Sequence, residues 1–431
     1  MCALSAWLTG CCGLKERRLD LVEVRAFQSF GFSSVVPDSD VIETSFSPTQ
    51  ITSTSDIGSG IYRGNFTYDE SNAVFGQLES YSQTINGQLA YEFLNINFDA
   101  YEFFQALQFG SQEALVSDVF MGPDTFYGST QSDILNGYSG DDSIFGNNGN
   151  DIIIGGSGDD TISGGAGYDV AGYFGNQSSH TLTLSSGSTT ISDRRVDGDG
   201  TDTLIDIEAL NFNSGSFDLT QFGGTTGLSA ENFESFIELY IAYFNRAPDA
   251  IGLNFWGTAF ANGTTLEEMA TLFIDQDETL AAYPPGTSNS VFAETVYNNV
   301  LGRTPDQTGF DFWVDQLDSG SVSRDQFILN VLQGAKSDLK PELGQDFVDQ
   351  QLADQEFLTN KTDIGAYFAV HKGMSDVDNA SSAMALFDGT DVGIDAAVAA
   401  IDGHYADALD PANGEFLMQV VGVLDDPFAG V

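Results

Sequence analysis

Five consecutive nonapeptides at residues 128–172 dominate the middle of the chain: GSTQSDILN, GYSGDDSIF, GNNGNDIII, GGSGDDTIS and GGAGYDVAG. Glycine opens every repeat and aspartate holds its sixth place, and a half-formed repeat with Gly122, Asp124 and Phe126 in matching register precedes them. A period this short and regular predicts a coil built from repeated supersecondary units. The eighth place is apolar throughout, although weakened in the last repeat: Leu135, Ile144, Ile153, Ile162 and Ala171.

This pattern predicts a parallel β-roll over residues 119–172. Glycines at places one, two and four permit the positive φ angles of a tight turn, and places seven to nine form a short strand whose middle residue points inward. Two nonapeptides make one full coil, so alternate repeats stack and each aspartate faces another aspartate one coil away. A flexible glycine-rich linker is the alternative, but a linker has no need for the recurring apolar residue.

The stacked aspartates predict calcium sites. Carboxylates a few ångströms apart repel each other strongly unless a cation lies between them, and carboxylate and carbonyl oxygens are the ligands that Ca²⁺ prefers. The candidate ligands form the pairs Asp124/Asp142, Asp142/Asp160, Asp133/Asp151 and Asp151/Asp169. Glycines of the same turns complete the set of candidate metal-binding residues: Gly122, Gly137, Gly140, Gly146, Gly149, Gly155, Gly158, Gly164 and Gly167.

The nonapeptides resemble the RTX family of bacterial calcium-binding repeat proteins, whose pattern is GGxGxDxUx. GGSGDDTIS matches that pattern in full, and GGAGYDVAG matches it at all but the eighth place. The first repeat departs most, because Gln131 replaces the glycine of place four and weakens the case for an ion between Asp133 and Asp151. The resemblance implies export by a type I secretion apparatus, and a roll that stays unfolded in low cytosolic calcium and folds outside the cell.

The charge balance agrees with a cation as the partner. The chain has 63 acidic and 14 basic residues, which gives a formal net charge of −49. Such a surface repels nucleic acid and anionic membranes and also repels itself, although an acidic balance alone is equally consistent with solubility or a salt-adapted host. The sequence contains no apolar stretch of about 18 residues, so we expect no transmembrane segment.

Residues 1–60 are predicted to be an N-terminal segment followed by a linker, which is rich in Ser, Thr, Pro and Asp over 33–60. All three cysteines lie before Gly13, so disulfides cannot hold the rest of the chain together. The first positive charges follow the first apolar run, which is the reverse of a secretory signal peptide. The string LTGC ending at Cys11 resembles a lipoprotein cleavage box, and a mis-called start codon is at least as good an explanation.

Two strand-rich segments flank the roll. Residues 61–118 are predicted to form a small α+β module with a tight hairpin and two short helices. Residues 173–222 resemble the β cap that closes many RTX rolls. Three acids of this cap, Asp197, Asp199 and Asp202, form an ordinary acidic turn in the interpretation that we favour and a further ion site in the alternative.

The C-terminal half is predicted to be an all-α repeat domain over 229–340, with a helical extension and a C-terminal secretion signal over 341–431. The string Arg-x-Pro-Asp-x-x-Gly-x-x-Phe-Trp ends at Trp256 in one copy and at Trp313 in the next, which is 313 − 256 = 57 residues later. Its aspartate is expected to cap a helix, and a capping box opens the third helix of each copy. The tryptophans are expected in the core, with a ligand-stacking platform as the alternative. The repeat resembles a helical domain of unknown function that recurs in secreted bacterial proteins.

Together these features predict a multidomain α+β protein that is not an enzyme. The zinc-protease motif His-Glu-x-x-His, the phosphate-binding loop and the GxSxG nucleophile turn are all absent from the sequence. We expect an extracellular calcium-binding protein, free or attached to the cell surface, whose helical domain serves binding, adhesion or surface assembly with an extracellular polymer or surface layer. The alternative is an extracellular hydrolase acting on glycans, which requires two carboxylates about 5 to 10 Å apart in a cleft.

Overall fold

The chain divides into two compact units in a computed structural model. The roll unit comprises Met1–Phe174 with Asp199–Asn211, and the helical unit comprises Gly175–Gly198 with Phe212–Val431. The segment predicted as a single β cap, 173–222, is therefore shared between the two units. The residues that the structure describes are 23–26, 43–54, 58–68, 74–85, 88–100, 102–104 and 119–429.

Strands predominate before residue 229, and helices predominate from the helical repeat onward, as the hydrophobic patterns predict. The described strands are β1 (Glu23–Ala26), β2 (Glu43–Phe46), β3 (Gln50–Thr54), β4 (Gly58–Tyr68), β5 (Val74–Ile85), β6 (Gln88–Asp99), β7 (Thr125–Tyr127), β8 (Ile134–Asn136), β9 (Ser143–Asn148), β10 (Ile152–Ile154), β11 (Thr161–Ala166), β12 (Val170–Gly172), β13 (His180–Ser185), β14 (Thr189–Asp193), β15 (Thr201–Ile205), β16 (Ala209–Phe212), β17 (Gly215–Asp218) and β18 (Leu417–Val421). The described α-helices are α1 (Ala230–Phe244), α2 (Ala250–Ala261), α3 (Leu266–Ile274), α4 (Asp277–Ala282), α5 (Asn289–Leu301), α6 (Gln307–Asp318), α7 (Arg324–Ala335), α8 (Gln345–Ala366), α9 (Val377–Met384) and α10 (Asp391–Ala408).

The parallel strands of the nonapeptides fit a β-roll region. β7, β9, β11 and β15 pair in parallel in one row, and β8, β10, β12 and β16 pair in parallel in a second row. Alternate nonapeptides therefore lie side by side. Their eighth-place side chains fill the interior, where burying one large aliphatic side chain contributes about 1.5–3 kcal/mol. The fully buried interior residues are Phe126, Leu135, Ile144, Ile153, Ile162 and Ala171.

The strands that precede the roll form an antiparallel sheet. β4, β5 and β6 pair with their sequence neighbours, and β1 pairs antiparallel with β6 and in parallel with β7. β2 and β3 extend this sheet beside β4, so the linker predicted over 33–60 is wrong for these strands. Each is only a few residues long, and short runs of this kind cannot be separated from loops by periodicity alone. Of the two short helices predicted here, the first begins after Asp99, whose Oδ1 accepts a hydrogen bond from the amide of Glu102 at 3.0 Å, and residues 102–104 are helical. Residues 105–118 lie outside the described residues.

The helices of the 57-residue repeat begin as the sequence predicts. Asp249 and Asp306 cap α2 and α6, because each carboxylate accepts a hydrogen bond from the amide three residues further on. Capping boxes at Thr265 and Ser323 open α3 and α7. Caps of this kind satisfy amides that have no partner inside the helix, and each is worth about 1 kcal/mol. The local signals at these four helix starts are therefore confirmed.

The two tryptophans of the repeat pack in the same way in both copies. Trp256 and Trp313 are half-buried, and each lies against a phenylalanine of the third helix of its own copy. The ring centroids are 5.2 Å apart for Trp256 and Phe273 and 5.4 Å apart for Trp313 and Phe327. Aromatic pairs at such distances add favourable contact energy to the burial of their apolar area. The contacts are those of helix packing.

The helical unit also contains strands. β13 and β14 form an antiparallel hairpin, and β18 pairs in parallel with β13, with Leu417 opposite Thr181. β18 lies in the segment 341–431, for which only a helical extension and a secretion signal were predicted. Partners so distant in sequence leave no periodic trace, because pairing register depends on long-range contacts. Among the described helices, none combines the length and the apolar character that crossing a bilayer requires.

Candidate metal centre

The six predicted aspartates lie in two columns, with one carboxylate for each coil. None of the six residues is more than 2% exposed to solvent. Carboxylates are almost never buried this deeply unless a partner compensates their charge. The aspartate columns are Asp124, Asp142 and Asp160 on one side and Asp133, Asp151 and Asp169 on the other.

A ladder of hydrogen bonds fixes each column. The backbone amide of one aspartate donates to Oδ1 of the aspartate in the next coil, with an N···O distance of 2.7 Å in one rung and 2.8 Å in the other three. Hydrogen bonds to a charged acceptor are roughly twice as strong as neutral ones. The fold therefore holds one oxygen of each accepting carboxylate in place. The donor and acceptor pairs are Asp124 to Asp142, Asp133 to Asp151, Asp142 to Asp160 and Asp151 to Asp169.

The second oxygen of these carboxylates is buried without a hydrogen bond. Within the part of the chain that the structure describes, this holds for Oδ2 of Asp142, Asp151, Asp160 and Asp169. A buried acceptor that is left unsatisfied costs about 1–3 kcal/mol, and more when it is charged. A hard divalent cation fits such a site, because it takes carboxylate and backbone carbonyl oxygens as ligands.

Burial raises the pKa of these carboxyl groups. The pKa of Asp142 rises to about 8, chiefly through burial and further through the charges of Asp160 and Asp124. The pKa values of Asp151 and Asp160 rise to about 6, again chiefly through burial, and that of Asp169 is also raised. The protein alone therefore disfavours the charged form of these groups, whereas a bound divalent cation would favour it.

The first position of each turn requires glycine because a side chain there would collide with the aspartate carboxylate, and not because the backbone adopts a positive φ. The sequence predicts positive φ at places one, two and four, but from Gly137 onward it occurs only at places two and four. A Cβ at Gly137 or Gly155 would lie 2.2 or 2.1 Å from Oδ2 of the aspartate in the same repeat. The carboxylate thus packs over the first glycine, and the prediction for place one is corrected. Gly146 and Gly164 have the same role.

The glycine at place four allows successive coils to approach each other. Gly158 has a φ of +136°, and a Cβ there would lie 2.1 Å from the carbonyl oxygen of Gly140. Backbone so close leaves no room for a side chain, and the positive φ independently favours glycine. The same contact with the preceding coil recurs at the remaining predicted site glycines: Gly140 against the carbonyl of Gly122, Gly149 against that of Gln131, and Gly167 against that of Gly149.

Asp133 differs from the other members of the columns. The amide of Ser129 donates to its Oδ2 at 2.6 Å, and the Ser129 hydroxyl donates to its Oδ1 at 3.2 Å. This is the repeat in which Gln131 replaces the place-four glycine. Its carboxylate is therefore satisfied to a larger extent by the protein itself. Among the predicted pairs, Asp133 with Asp151 is the weakest candidate for holding an ion.

The sequence of the roll provides no positive charge for these carboxylates. No lysine or arginine occurs between Arg63 and Arg194. A buried charge without a counter-charge costs several kcal/mol even after the protein relaxes. Neutralisation by a lysine or arginine of this segment is therefore excluded. The donor set of the columns, which is entirely oxygen, matches Ca²⁺ better than a metal that prefers sulfur or nitrogen.

Two carboxylates that the sequence analysis did not assign continue the columns. The amide of Asp160 donates to Oδ1 of Asp202 at 3.0 Å, and the amide of Asp169 donates to Glu208 Oε2 at 2.7 Å. The string GTDTL at 200–204 repeats places four to eight of the nonapeptide and was the available signal. It escaped notice because the regular period is broken before it, and Asp202 was weighed only with Asp197 and Asp199 as an acidic turn.

Comparison with known proteins identifies two segments of the chain. The profile of the RTX calcium-binding nonapeptide repeat matches residues 120–153 and 136–171, and that of a domain of unknown function (DUF4214) matches residues 270–337. Both resemblances are therefore confirmed. The chain contains calcium-binding repeats of a kind that is typical of secreted bacterial proteins, and their cation is Ca²⁺. Comparison with curated proteins finds no significant match.

Two solved structures resemble short parts of the chain. The extracellular lipase LipA from Serratia marcescens is 25% identical over 21% of this chain and 14% of the lipase chain, with a TM-score of 0.20. The hemophore HasA from Yersinia pestis is 12% identical over 23% of this chain and 85% of that chain, with a TM-score of 0.19. The chain thus spans only a small fraction of the lipase, and TM-scores this low support no conclusion about activity.

Proposed function

We propose that this protein is secreted and that its roll folds when Ca²⁺ binds outside the cell. The aspartate columns and the glycines of the same turns are the proposed ligand-bearing residues. The observation that carries the proposal is the burial of carboxylate oxygens that accept no hydrogen bond, as at Asp142 and Asp160, in a segment without lysine or arginine. Such a segment compacts only when a cation from solution replaces the missing counter-charge.

The same electrostatics support export in an unfolded state. A chain with a formal net charge of −49 repels itself, and a calcium concentration too low to fill the columns leaves that repulsion unopposed in the roll. A type I secretion apparatus is the proposed partner, with the export signal in residues 341–431. The ions then bind outside the cell, where binding and folding are one reaction.

We assign the helical unit a role in binding, adhesion or surface assembly, with an extracellular polymer or surface layer as the partner. Its repeated tryptophans are used in packing between helices, at 5.2 Å and 5.4 Å from Phe273 and Phe327, which supports a structural module. A cavity of about 630 Å³ on the roll does not support the glycan-hydrolase alternative, which requires two carboxylates in a cleft. Gly128, Phe145 and Ser163 are among the residues that line it, and its described lining includes no carboxylate.

Circular dichroism of the full chain tests the proposal. The protein is first stripped with a chelator and then titrated with Ca²⁺, and in parallel with Mg²⁺, which binds poorly to sites built from many flexible oxygen ligands. We expect Ca²⁺ to add strand signal with a midpoint in the range of about 0.1 to 1 mM that is typical of extracellular modules, and Mg²⁺ to add much less. Identical spectra with chelator and with Ca²⁺ would overturn the proposal.

A further inference from the structure

The coil of the roll continues beyond its last nonapeptide. The string Gly200-Thr-Asp-Thr-Leu corresponds residue by residue to Gly158-Asp-Asp-Thr-Ile, which is places four to eight of the fourth repeat. β15, which contains this string apart from Gly200, pairs in parallel with β11, with Thr203 opposite Thr161 and Leu204 opposite Ile162. The non-repetitive segment therefore occupies the position that a further nonapeptide would take.

The turn before β15 reproduces the contacts of a calcium-type turn. Gly200 has a φ of +90°, and a Cβ there would lie 2.1 Å from the carbonyl oxygen of Gly158, the same separation that relates Gly158 to Gly140. The amide of Thr201 donates to the Asp159 carboxylate at 2.8 Å, as the amide of Asp159 donates to Asp141 at 2.9 Å. Both contacts with the preceding coil are thus retained without the nonapeptide sequence.

Asp202 has the same carboxylate environment as the aspartate columns. Its Oδ1 accepts the amide of Asp160 at 3.0 Å. Its Oδ2 is buried and accepts no hydrogen bond of normal geometry within the described residues, and the residue is 1% exposed. The buried hydroxyl of Tyr173 lies beside this carboxylate, and its pKa is raised by burial, by the charge of Asp202 and its interaction with that side chain, and by the charges of Asp160 and Asp199. The buried Oδ2 of Asp202 therefore indicates a missing ligand, in addition to the clustering of Asp160, Asp199 and Asp202.

We propose that Asp160 and Asp202 hold a Ca²⁺ ion one coil beyond the last nonapeptide, so that a non-repetitive segment supplies the final carboxylate of its column. The proposal rests on the proposed function of the roll. The donors are oxygens only, as a hard cation requires. The other column, which contains Asp133, Asp151 and Asp169, ends at Glu208. Glu208 is half-buried, and the turn before it has no glycine at the place-four position. We therefore assign no ion between Asp169 and Glu208.

Counting the bound calcium in full-length variants tests the site. Asp202→Asn keeps an acceptor for the amide of Asp160 but removes the charge. Asp206→Asn is the matched control, because it makes the same charge change on the same segment at an exposed residue whose φ of +49° asparagine tolerates. After equilibrium dialysis and elemental analysis we expect Asp202→Asn to bind one Ca²⁺ fewer than wild type, and Asp206→Asn to bind the same number.

The outcomes separate this inference from the function on which it rests. Equal calcium content in wild type and Asp202→Asn overturns the inference and leaves the proposed function standing. A wild-type protein that binds no Ca²⁺ overturns the proposed function as well.

A second variant gives a readout should Asp202→Asn fail to fold. Tb³⁺ takes the oxygen ligands of Ca²⁺ and becomes luminescent when a nearby tyrosine transfers energy to it. Tyr173→Phe keeps the ring and all carboxylates, so we expect unchanged calcium content together with a partial loss of tyrosine-sensitised Tb³⁺ luminescence. Luminescence equal to that of wild type would overturn the placement of the ion beside Asp160 and Asp202.

Discussion

The roll and the helical unit differ in whether their buried charged side chains have partners of opposite charge. In the helical unit, buried charged side chains such as Arg246 and Glu238 are paired with a side chain of opposite charge. Arg246 contacts Glu278 at 2.7 Å, and Lys336 contacts Glu238 at 2.5 Å. Such pairs offset the cost of removing charge from water, provided that the geometry is good. The helical unit therefore contains counter-charges for these groups, whereas the buried Lys361 donates to Asn245 and to the carbonyl oxygen of Asn299.

The roll buries its carboxylates in columns of a single sign. Oδ2 of Asp142 and Asp151 accepts no hydrogen bond among the described residues, and the sequence between Arg63 and Arg194 contains no lysine or arginine. In the proposed function, the buried charge of the roll is left for a cation from solution to neutralise, so folding of the roll would depend on the cation concentration outside. We therefore expect calcium to change the stability of the roll and not that of the helical unit.

The largest expected effect comes from a side chain added between coils. Gly158→Ala places a Cβ 2.1 Å from a backbone carbonyl oxygen at a φ of +136°, so the coils must separate at a cost of about 3 kcal/mol or more. Gly286→Ala is the matched control in the helical unit, because its φ of +96° is also positive but nothing lies within 4 Å, and we expect a cost of about 1 kcal/mol. Urea unfolding in saturating Ca²⁺ measures both, and equal costs would contradict the close stacking of coils.

A smaller effect, which changes sign with calcium, is expected from Asp142→Asn. With Ca²⁺ present, loss of a carboxylate shared by two predicted ions should raise the calcium midpoint roughly a hundredfold, about 2.7 kcal/mol. Without Ca²⁺ the variant should be more stable than wild type, because burial raises the pKa of Asp142 to about 8 and the substitution removes the cost of keeping this carboxyl group buried, whether charged or protonated. Asp141→Asn, an exposed neighbour with the same charge change, serves as control in the same titration. An unshifted midpoint for Asp142→Asn would refute its assignment as a ligand.

The smallest effect is expected in the helical unit, and it should not depend on calcium. Arg246→Met removes the ion pair with Glu278 and the stacking of the guanidinium over Tyr240. We expect a loss of about 2 kcal/mol, which is less than for a fully buried pair because the Glu278 side chain is 39% exposed. Unfolding of the α-helical signal should show the same loss with Ca²⁺ and with chelator. A loss seen only with Ca²⁺ would mean that the two regions do not differ as described.

Local sequence signals predicted the parts of the fold that local physics determines. The sixth-place aspartates and eighth-place apolar residues have the burial that their period requires, as at Asp151 and Ile153. The caps at Asp249 and Thr265 are also present, because a capping side chain and its amide are only three residues apart. The nine-residue period thus predicted the buried positions of the roll, and short-range capping patterns predicted where these helices begin.

Features that depend on distant partners were not predictable. The parallel pairing of β18 with β13 and the division of 173–222 between two units have no local signature. Asp202 was not assigned because the interval that separates it from Asp160 breaks the nonapeptide period. The role of the first glycine in each repeat was predicted wrongly for a different reason. A recurring glycine can indicate either a positive φ or a lack of space for a side chain, and the sequence does not distinguish the two. In the structure a carboxylate packs over this glycine, as at Gly155, so the reason is lack of space.

Hydrogen–deuterium exchange of the full chain, followed by mass spectrometry with Ca²⁺ and with chelator, tests the contrast between the two regions most directly. We expect peptides from residues 119–172 to be protected with Ca²⁺ and to exchange almost completely with chelator, while peptides from α1, α5 and α7 keep their protection in both conditions. Protection of the roll that survives removal of the metal would contradict the account, because the aspartate columns would then be stable without a cation.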